Sequence, residues 1–317
     1  MAPELTRPVG ERVVVALGGN AIAGERGADP ESQRIAVEGA CEQIAALVEH
    51  GHEVVITHGN GPQVGNLLLK NDLAREIVPP VPLDWCVAQT QATLGFLIVT
   101  ALEAALRRRG LERLVSTVVT RVLVAADDPA FAAPSKPIGR YVSAAEARER
   151  IAAGEAWQER GERGWRRVVA SPAPLEILDR GTIEALIGDG AIVVACGGGG
   201  IPMVREDGKL SGVEAVLDKD LTGVLLARTV GAACLVIATD VDAAAVGFGT
   251  ERQEWLGAVD TDRLRELLAR GEFAGGSMGP KVEAAIAFAD AGGRSVITSL
   301  ERLREGVEGA VGTRVPA

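Results

Sequence analysis

Two short β-branched segments of this 317-residue chain run directly into glycine-rich turns. The segment 13–17 ends in Gly-Gly-Asn at 18–20, and the segment 54–57 ends in His-Gly-Asn-Gly at 58–61. Between them, residues 32–49 have apolar positions at helical spacing. Strand, helix and strand in this order predict a right-handed crossover between parallel strands, with both turns at the same edge of the sheet. Ligands of open α/β sheets bind at that edge.

The rest of the sequence continues this alternation. Only 3% of the residues are aromatic, so the core must be built from Val, Ile, Leu and Ala, which suits buried parallel strands covered by helices. We therefore predict an α/β fold, a three-layer αβα sandwich around a mainly parallel sheet. Residues 127–171 hold proline-rich turns, a short charged helix and two tryptophans, and they predict a small β-rich subdomain that protrudes from the sandwich. The segment 114–124 reads as one further strand.

The formal net charge of −10 argues against two classes of partner. A surface with this excess of carboxylates repels nucleic acid and anionic lipid, so we expect neither nucleic acid nor a membrane as a partner. The N-terminal segment is charged from its start and lacks the apolar stretch of a signal peptide, and a cytoplasmic location is expected. Four scattered cysteines without a CxxC pair indicate small buried thiols rather than disulfides or a zinc site.

Three glycine-rich loops follow predicted strands, at 18–20, 59–61 and 197–200. Glycine lets backbone N–H groups approach an oxyanion, and the start of the next helix favours negative charge. A tight strand–helix turn explains any single loop as well, but three loops at equivalent strand ends favour anion binding. The P-loop motif, the dinucleotide fingerprint and the protein-kinase signatures are all absent from the sequence. The loops therefore predict a phosphate site of another design.

Lysine is rare in this chain, with five examples among 33 basic residues. Where arginine is so strongly preferred, a retained lysine suggests a need for a compact, mobile charge. Lys136 lies in a proline-rich turn, Lys219 lies between two aspartates, and Lys281 lies in the first turn of a predicted helix. A cation at that helix start opposes the helix dipole, so an anionic ligand explains it better than local stability does. A solvated surface lysine is the alternative for each, and it is our interpretation of Lys70 and Lys209.

Aspartates accompany these lysines and also follow a later strand. Asp218 and Asp220 flank Lys219, and they either hold that lysine in place or neutralise it. Asp240 and Asp242 follow the predicted strand 234–238. They either contact Mg²⁺ or a nucleotide edge, or simply form a turn.

Taken together, the motifs resemble those of one family. The blocks are ALGGNAI, HEVVITHGNGPQVGNLLL, PLDWC, DDPAF followed by PSKPIG, GWRRVVASP, ACGGGGIP, GVEAVLDKDLTGVLLA and GSMGPKVEAAI. In this order they resemble carbamate kinase, within the amino acid kinase superfamily, from about residue 12 to 315. Asn20 in the first block is discriminating, because many sister kinases carry a lysine in that loop.

The resemblance implies reversible phosphoryl transfer between ATP and carbamate, which gives ADP and carbamoyl phosphate. It also implies a homodimer, Mg²⁺ held mainly by ATP phosphates and water, and one domain over 1–317. Within that domain, 12–215 would be the acceptor-binding lobe and 216–317 the nucleotide-binding lobe, with 127–171 protruding over the active site. The alternatives are another small-acid kinase of the superfamily, such as one acting on acetylglutamate, and a non-catalytic nucleotide-binding protein on the same fold.

The resemblance also implies roles for individual residues. Lys136 would reach towards the carbamoyl phosphate site, while Lys219 and Lys281 would flank the transferred phosphoryl group and Asp220 would orient both. The acceptor and the transferred phosphate would be cradled by Gly18, Gly19, Asn20, Gly59, Asn60 and Gly61. The nucleotide would be faced by Gly198, Gly199, Thr239, Asp240, Asp242, Gly276, Ser277, Met278 and Gly279.

Carbamate is already an anionic oxygen nucleophile, so this reaction needs no general base. Because no general base is needed, a structural role for His58 is favoured over a catalytic one. Two segments depart from the family pattern, 89–91 and 243–245. The second lacks the glycine and tyrosine expected around the nucleotide pocket.

Overall fold

A seven-stranded sheet runs through the centre of the molecule in a computed structural model that describes residues 10–23, 29–273 and 278–317. Six of its strands are parallel, and one edge strand is antiparallel. This confirms the predicted mainly parallel sheet. From the antiparallel edge, its strands are β16 (Thr313–Val315), β15 (Arg294–Ser299), β12 (Cys234–Thr239), β1 (Arg12–Leu17), β2 (Glu53–His58), β9 (Ile192–Val194) and β3 (Val115–Thr117).

Helices cover both faces of this sheet. The described helices are α1 (Gly19–Ala23), α2 (Pro30–Glu49), α3 (Gly61–Ala74), α4 (Leu83–Arg108), α5 (Pro129–Ala132), α6 (Ala144–Ala152), α7 (Arg180–Gly188), α8 (Lys219–Thr229), α9 (Thr261–Ala269), α10 (Met278–Ala289) and α11 (Leu303–Val307).

The side chains of β1 show why the chain forms three layers. Successive strand residues point to opposite faces. Val14 and Ala16 belong to the core formed with α7, α8, α9 and α10, whereas Val13, Val15 and Leu17 belong to the core formed with α2, α4 and α11. A strand that is apolar on both faces needs helices on both, so the αβα sandwich is confirmed.

One described helix, α4, is long and apolar enough by length and composition alone to cross a membrane, with a mean hydropathy of 1.4 over 18 residues. Its Leu94, Ile98 and Leu102 are fully buried in the core between helix and sheet. Packing of this kind is typical of a core helix, which can be as long and as apolar as a helix that crosses a membrane.

Three smaller sheets lie beside the main one. A four-stranded sheet has the order β11 (Lys209–Gly212), β10 (Ile201–Glu206), β4 (Arg121–Leu123) and β8 (Glu176–Ile177), and β13 (Ala245–Val246) pairs with β14 (Glu254–Trp255). The third has the order β5 (Lys136–Val142), β7 (Trp165–Val169) and β6 (Trp157–Glu159). This three-stranded sheet and α6 fall within the segment 127–171, where a β-rich subdomain was predicted.

The prediction of a single strand over 114–124 is wrong. The structure divides this segment into β3 and β4, which belong to different sheets. The Gln91 side chain accepts a hydrogen bond from the Thr120 N–H at 2.7 Å and donates one to the Thr120 carbonyl at 3.1 Å. The Gln91 side chain of α4 thus binds the N–H and the carbonyl of Thr120, where the chain passes from the main sheet to the four-stranded sheet.

Candidate active site

A cavity of about 480 Å³ lies at the carboxyl ends of β1, β2 and β12, next to the start of β5. Its position is the sheet edge at which the sequence predicted a ligand. Twelve of the predicted site residues line it: Gly18, Gly19, Gly59, Asn60, Gly61, Lys136, Gly198, Lys219, Asp220, Thr239, Asp240 and Lys281.

Two of the lysines share one carboxylate. Lys219 Nζ lies 2.9 Å from Asp220 Oδ1, and Lys281 Nζ lies 3.2 Å from Asp220 Oδ2. Lys281 and Asp220 are each 4% exposed, so water screens this contact little. Burial and the charge of Lys219 lower the pKa of Lys281, although Asp220 opposes that shift. The geometry places two cations from α8 and α10 side by side in one cavity.

The third lysine comes from the smaller sheet. Lys136 is the first residue of β5, and its Nζ lies 2.6 Å from Asp218 Oδ2. The other oxygen of Asp218 accepts hydrogen bonds from the backbone N–H groups of Asp220 and Leu221, which caps α8. Burial alone would raise the pKa of the Asp218 carboxyl, but Lys136 and these N–H groups hold it below its usual value. Asp218 therefore connects the β5 lysine to the helix that begins with Lys219.

The glycine loops pack too closely for side chains. A Cβ atom on Gly59 would lie 2.9 Å from the Gly19 backbone nitrogen, and one on Gly198 would lie 2.0 Å from Asn60 Nδ2. Glycine at these positions lets the three loops meet around the cavity. Gly198 lies against the Asn60 side chain, so the third loop joins the second at this end of the cavity.

His58 lies beneath the loops and is 1% exposed. Its Nδ1 donates a hydrogen bond to the Gly59 carbonyl at 2.9 Å. Burial, together with the smaller effect of nearby Lys219, lowers the pKa of His58 to about 4, although the hydrogen bond to Gly59 opposes this shift. The imidazole is therefore neutral at neutral pH, and its position supports the structural role inferred from the sequence.

Other residues assigned to the nucleotide lie elsewhere. Asp242 accepts a hydrogen bond from Ser299 Oγ at 2.5 Å and lies 3.7 Å from Arg302. Gly199 packs against Leu217, and Met278 packs against the core that contains α10. Gly279 lies near the Phe273 backbone.

Three of the predicted site residues lie wholly or partly outside the described part of the chain. Gly276 and Ser277 are outside the described residues, and of Asn20 only the backbone, within α1, is described. The roles assigned to all site residues from the resemblance stay predictions.

Two charged residues that line the cavity are not among the predicted site residues, Arg166 and Asp218. Asp218 was expected only as a partner of Lys219, whereas the structure pairs it with Lys136. Arg166 of β7 donates a hydrogen bond to the Gly139 carbonyl at 3.1 Å, and its guanidinium lies 5.3 Å from the centre of the Tyr141 ring. The signal was the GWRRVV block, whose first arginine is Arg166. For Asp218, the signal was its position beside Lys219.

The described residues include no group of three or more His, Cys, Asp or Glu side chains that could hold a metal ion. Asp240 lines the cavity, and it accepts a hydrogen bond from Thr239 Oγ1 at 2.9 Å. A single carboxylate of this kind fits a cation that brings its other oxygen ligands with it, as magnesium does when it is bound to phosphates and water.

Comparison with known proteins gives consistent matches in sequence and in structure. The amino acid kinase family model matches residues 11–299. The carbamate kinase of Pyrococcus furiosus is 46% identical over 314 residues, which cover 97% of this chain and 99% of that protein. The carbamate kinase of Giardia lamblia bound to AMP-PNP has a TM-score of 0.91 at 40% identity, covering 97% of this chain and 99% of that one.

The Giardia enzyme has also been solved after thiocarbamoylation by disulfiram on a cysteine, and that structure has a TM-score of 0.89 at 41% identity over 97% of this chain and 99% of that one. These relatives match the present chain almost from end to end, in sequence and in fold. The chain therefore belongs to the amino acid kinase family and, within it, to the carbamate kinases.

Proposed function

We propose that this chain is a phosphotransferase that carries out the reversible reaction of ATP and carbamate to ADP and carbamoyl phosphate. The observation that carries the proposal is the shared carboxylate of Asp220, which holds Lys219 and Lys281 together where the glycine loops meet. The names of the near-full-length relatives support the choice of carbamate as the acceptor.

The proposed chemistry follows from the charges in the cavity. In phosphoryl transfer, charge spreads over the equatorial oxygens of a loose transition state, so catalysis depends on alignment and on fixed cations. Lys219 and Lys281 supply those cations, and Asp220 fixes their positions. Lys136 contacts the acceptor end of the substrate when the substrate anion competes with Asp218 for the Lys136 ammonium group. Because carbamate is an anionic nucleophile, no residue has to remove a proton.

The nucleotide end of the proposal rests on β12. Thr239 and Asp240 follow that strand and line the cavity, so we assign them to the phosphates of ATP. Magnesium supplies positive charge to those phosphates when it is bound, and Asp240 would contact it through water. The assignment of 216–317 to the nucleotide and of 12–215 to the acceptor belongs to this proposal.

We also propose that the chain forms a homodimer through the outer faces of α2 and α4. Ile35, Trp85 and Phe96 are 62%, 59% and 60% exposed, although they are large apolar residues. Exposed apolar residues on neighbouring helices are typical of a subunit interface. Light scattering after gel filtration tests this, because Phe96→Asp should then convert a dimer into a monomer. A wild-type chain of monomer mass would contradict it.

The activity is tested by coupled detection of ATP formed from ADP and carbamoyl phosphate. Lys281→Ala should lower turnover by orders of magnitude, whereas Lys209→Ala, on an exposed position of β11, is the matched control and should be unaffected. Acetylglutamate is supplied with ATP as the competing acceptor. Phosphorylation of acetylglutamate without ATP formation from carbamoyl phosphate would show that another acid kinase is the correct assignment.

A further inference from the structure

Two consecutive residues of α4 place polar side chains in the buried interior. Thr90 and Gln91 are 3% and 2% exposed, although the buried side of this helix is otherwise made mainly of apolar residues such as Leu94 and Ile98. Neither of the two lines the cavity. A buried polar side chain persists where its hydrogen bonds are satisfied, so the partners of these two indicate what they do.

Thr90 fixes the orientation of Asn60. The Thr90 hydroxyl donates its single proton to the Val87 carbonyl at 2.7 Å, so its oxygen is left to accept, and it accepts from Asn60 Nδ2 at 2.9 Å. The nitrogen side of the Asn60 amide is therefore turned towards α4.

This orientation affects the start of α3. Asn60 occupies the N-cap position of α3, where an asparagine side chain normally accepts a hydrogen bond from the first turn. In this structure its side chain makes no such bond. The backbone N–H groups at the start of α3 are thus not consumed by the cap, and Gly61 at that start lines the cavity. Thr90 holds the side chain that would otherwise cover them.

Gln91 acts on the third glycine loop through Thr120. Its amide binds both backbone groups of Thr120, and Thr120 Oγ1 accepts a hydrogen bond from the Cys196 N–H at 3.0 Å. Cys196 has a φ of 55° and immediately precedes Gly197. A residue with a side chain is strained in this left-handed conformation and persists there only when its surroundings hold it.

We infer that Thr90 and Gln91 are positioning residues for the acceptor end of the active site. Thr90 sets the Asn60 amide, and Gln91 sets the backbone before Gly198, which itself packs on Asn60. The two contacts come from one turn of one helix, so α4 holds two loops in register with each other. The inference rests on the proposed function, because it assigns these loops to the carbamoyl phosphate end.

The test compares Thr90→Val, which keeps the shape of the side chain but lacks the hydroxyl, with Thr90→Ser, which keeps the hydroxyl. Thr100→Val is the control, since Thr100 is an exposed residue of the same helix and, among the described residues, its hydroxyl binds only the Phe96 carbonyl. The Michaelis constants for carbamoyl phosphate and for ADP are measured for each variant, together with the urea midpoint.

We expect Thr90→Val to raise the KM for carbamoyl phosphate about tenfold, equivalent to about 1.4 kcal/mol, while the KM for ADP stays within about twofold. Thr90→Ser and Thr100→Val should both keep the wild-type KM for carbamoyl phosphate. If Thr90→Val does not fold, Thr90→Ala takes its place with the same expectation.

Three outcomes would overturn the inference: an unchanged KM for carbamoyl phosphate, an equal rise for both substrates, or a Thr90→Ser variant as impaired as Thr90→Val. Each leaves the proposed function standing, because wild-type ATP formation is measured in the same experiment. A wild-type chain that forms no ATP from carbamoyl phosphate overturns the proposed function instead.

Discussion

Replacing Asp220 with asparagine keeps the size of the side chain and removes the charge that two lysines share. The carboxylate lies 2.9 Å from Lys219 Nζ and 3.2 Å from Lys281 Nζ. Among the described residues, Asp220 is the only ion-pair partner of either lysine. The Asp220→Asn variant therefore leaves two ammonium groups close together inside the protein.

The expected loss of stability is large for a substitution of this size. Removing one partner of a buried ion pair costs about 3–5 kcal/mol, because the remaining charge is left without compensation. The Lys219 side chain is 17% exposed, so water relieves part of its charge and the lower end of that range applies. We expect the free energy of unfolding to fall by about 3 kcal/mol at neutral pH.

The same reasoning fixes how the loss depends on pH. Burial and Lys219 already lower the pKa of Lys281, and removal of Asp220 takes away the group that opposes this shift. In the variant, the folded chain then binds fewer protons than the unfolded chain as pH rises towards the usual lysine range. Its stability must rise with pH in that window, so the deficit relative to wild type shrinks.

Urea unfolding at neutral pH and near pH 9.5, with and without inorganic phosphate, measures both effects. Phosphate should stabilise the variant more than wild type, because it supplies the missing negative charge. Asp262→Asn is the control, since that carboxylate is 95% exposed beside Arg265. A deficit no larger than that of the control, or one that grows as pH rises, would refute the reasoning.

Three further predictions concern titration and thiol chemistry. Burial lowers the pKa of His58 from 6.5 to about 4, so the folded chain binds fewer protons than the unfolded chain in this range. Stability should therefore fall by about 3 kcal/mol as pH drops to about 4, and urea titrations should show this loss in wild type but not in His58→Asn. Because the pKa of Lys281 is lowered, kcat/KM for carbamoyl phosphate should fall as pH rises, and this fall should begin below the usual pKa range of lysine. Lys281→Arg should abolish the fall in whatever activity the variant retains. All four cysteines are free and buried and burial raises the pKa of their thiols, so disulfiram should neither add mass nor inactivate this chain, in contrast to the modified Giardia relative.

The central layers of the fold could be predicted because their signals are local. β1, α2 and β2 begin and end within one or two residues of their predicted bounds, since β-branched segments meet glycine at one end and a helical period fills the space between them. The division of 114–124 could not be predicted in this way. No glycine or proline marks it, and the groups that bind Thr120 belong to a helix 29 residues away.

The candidate site shows the same division between local and distant causes. The scarcity of lysine pointed to Lys136, Lys219 and Lys281 without any structural information. The contact between Lys136 and Asp218 joins residues 82 positions apart, and it depends on how the smaller sheet lies against α8. Arg166 entered the cavity lining in the same way, because its strand pairs with β5.

The pairing of every cavity lysine with a carboxylate has a consequence for selectivity among anions. Lys136 is held by Asp218, and Lys219 and Lys281 are held by Asp220. A simple anion such as sulfate must compete with these internal partners, and it gains only what its own few contacts provide. A ligand that also reaches the loop amides has more contacts with which to compete. A cavity built in this way discriminates against the abundant small anions of a cell while it retains the charges needed for transfer.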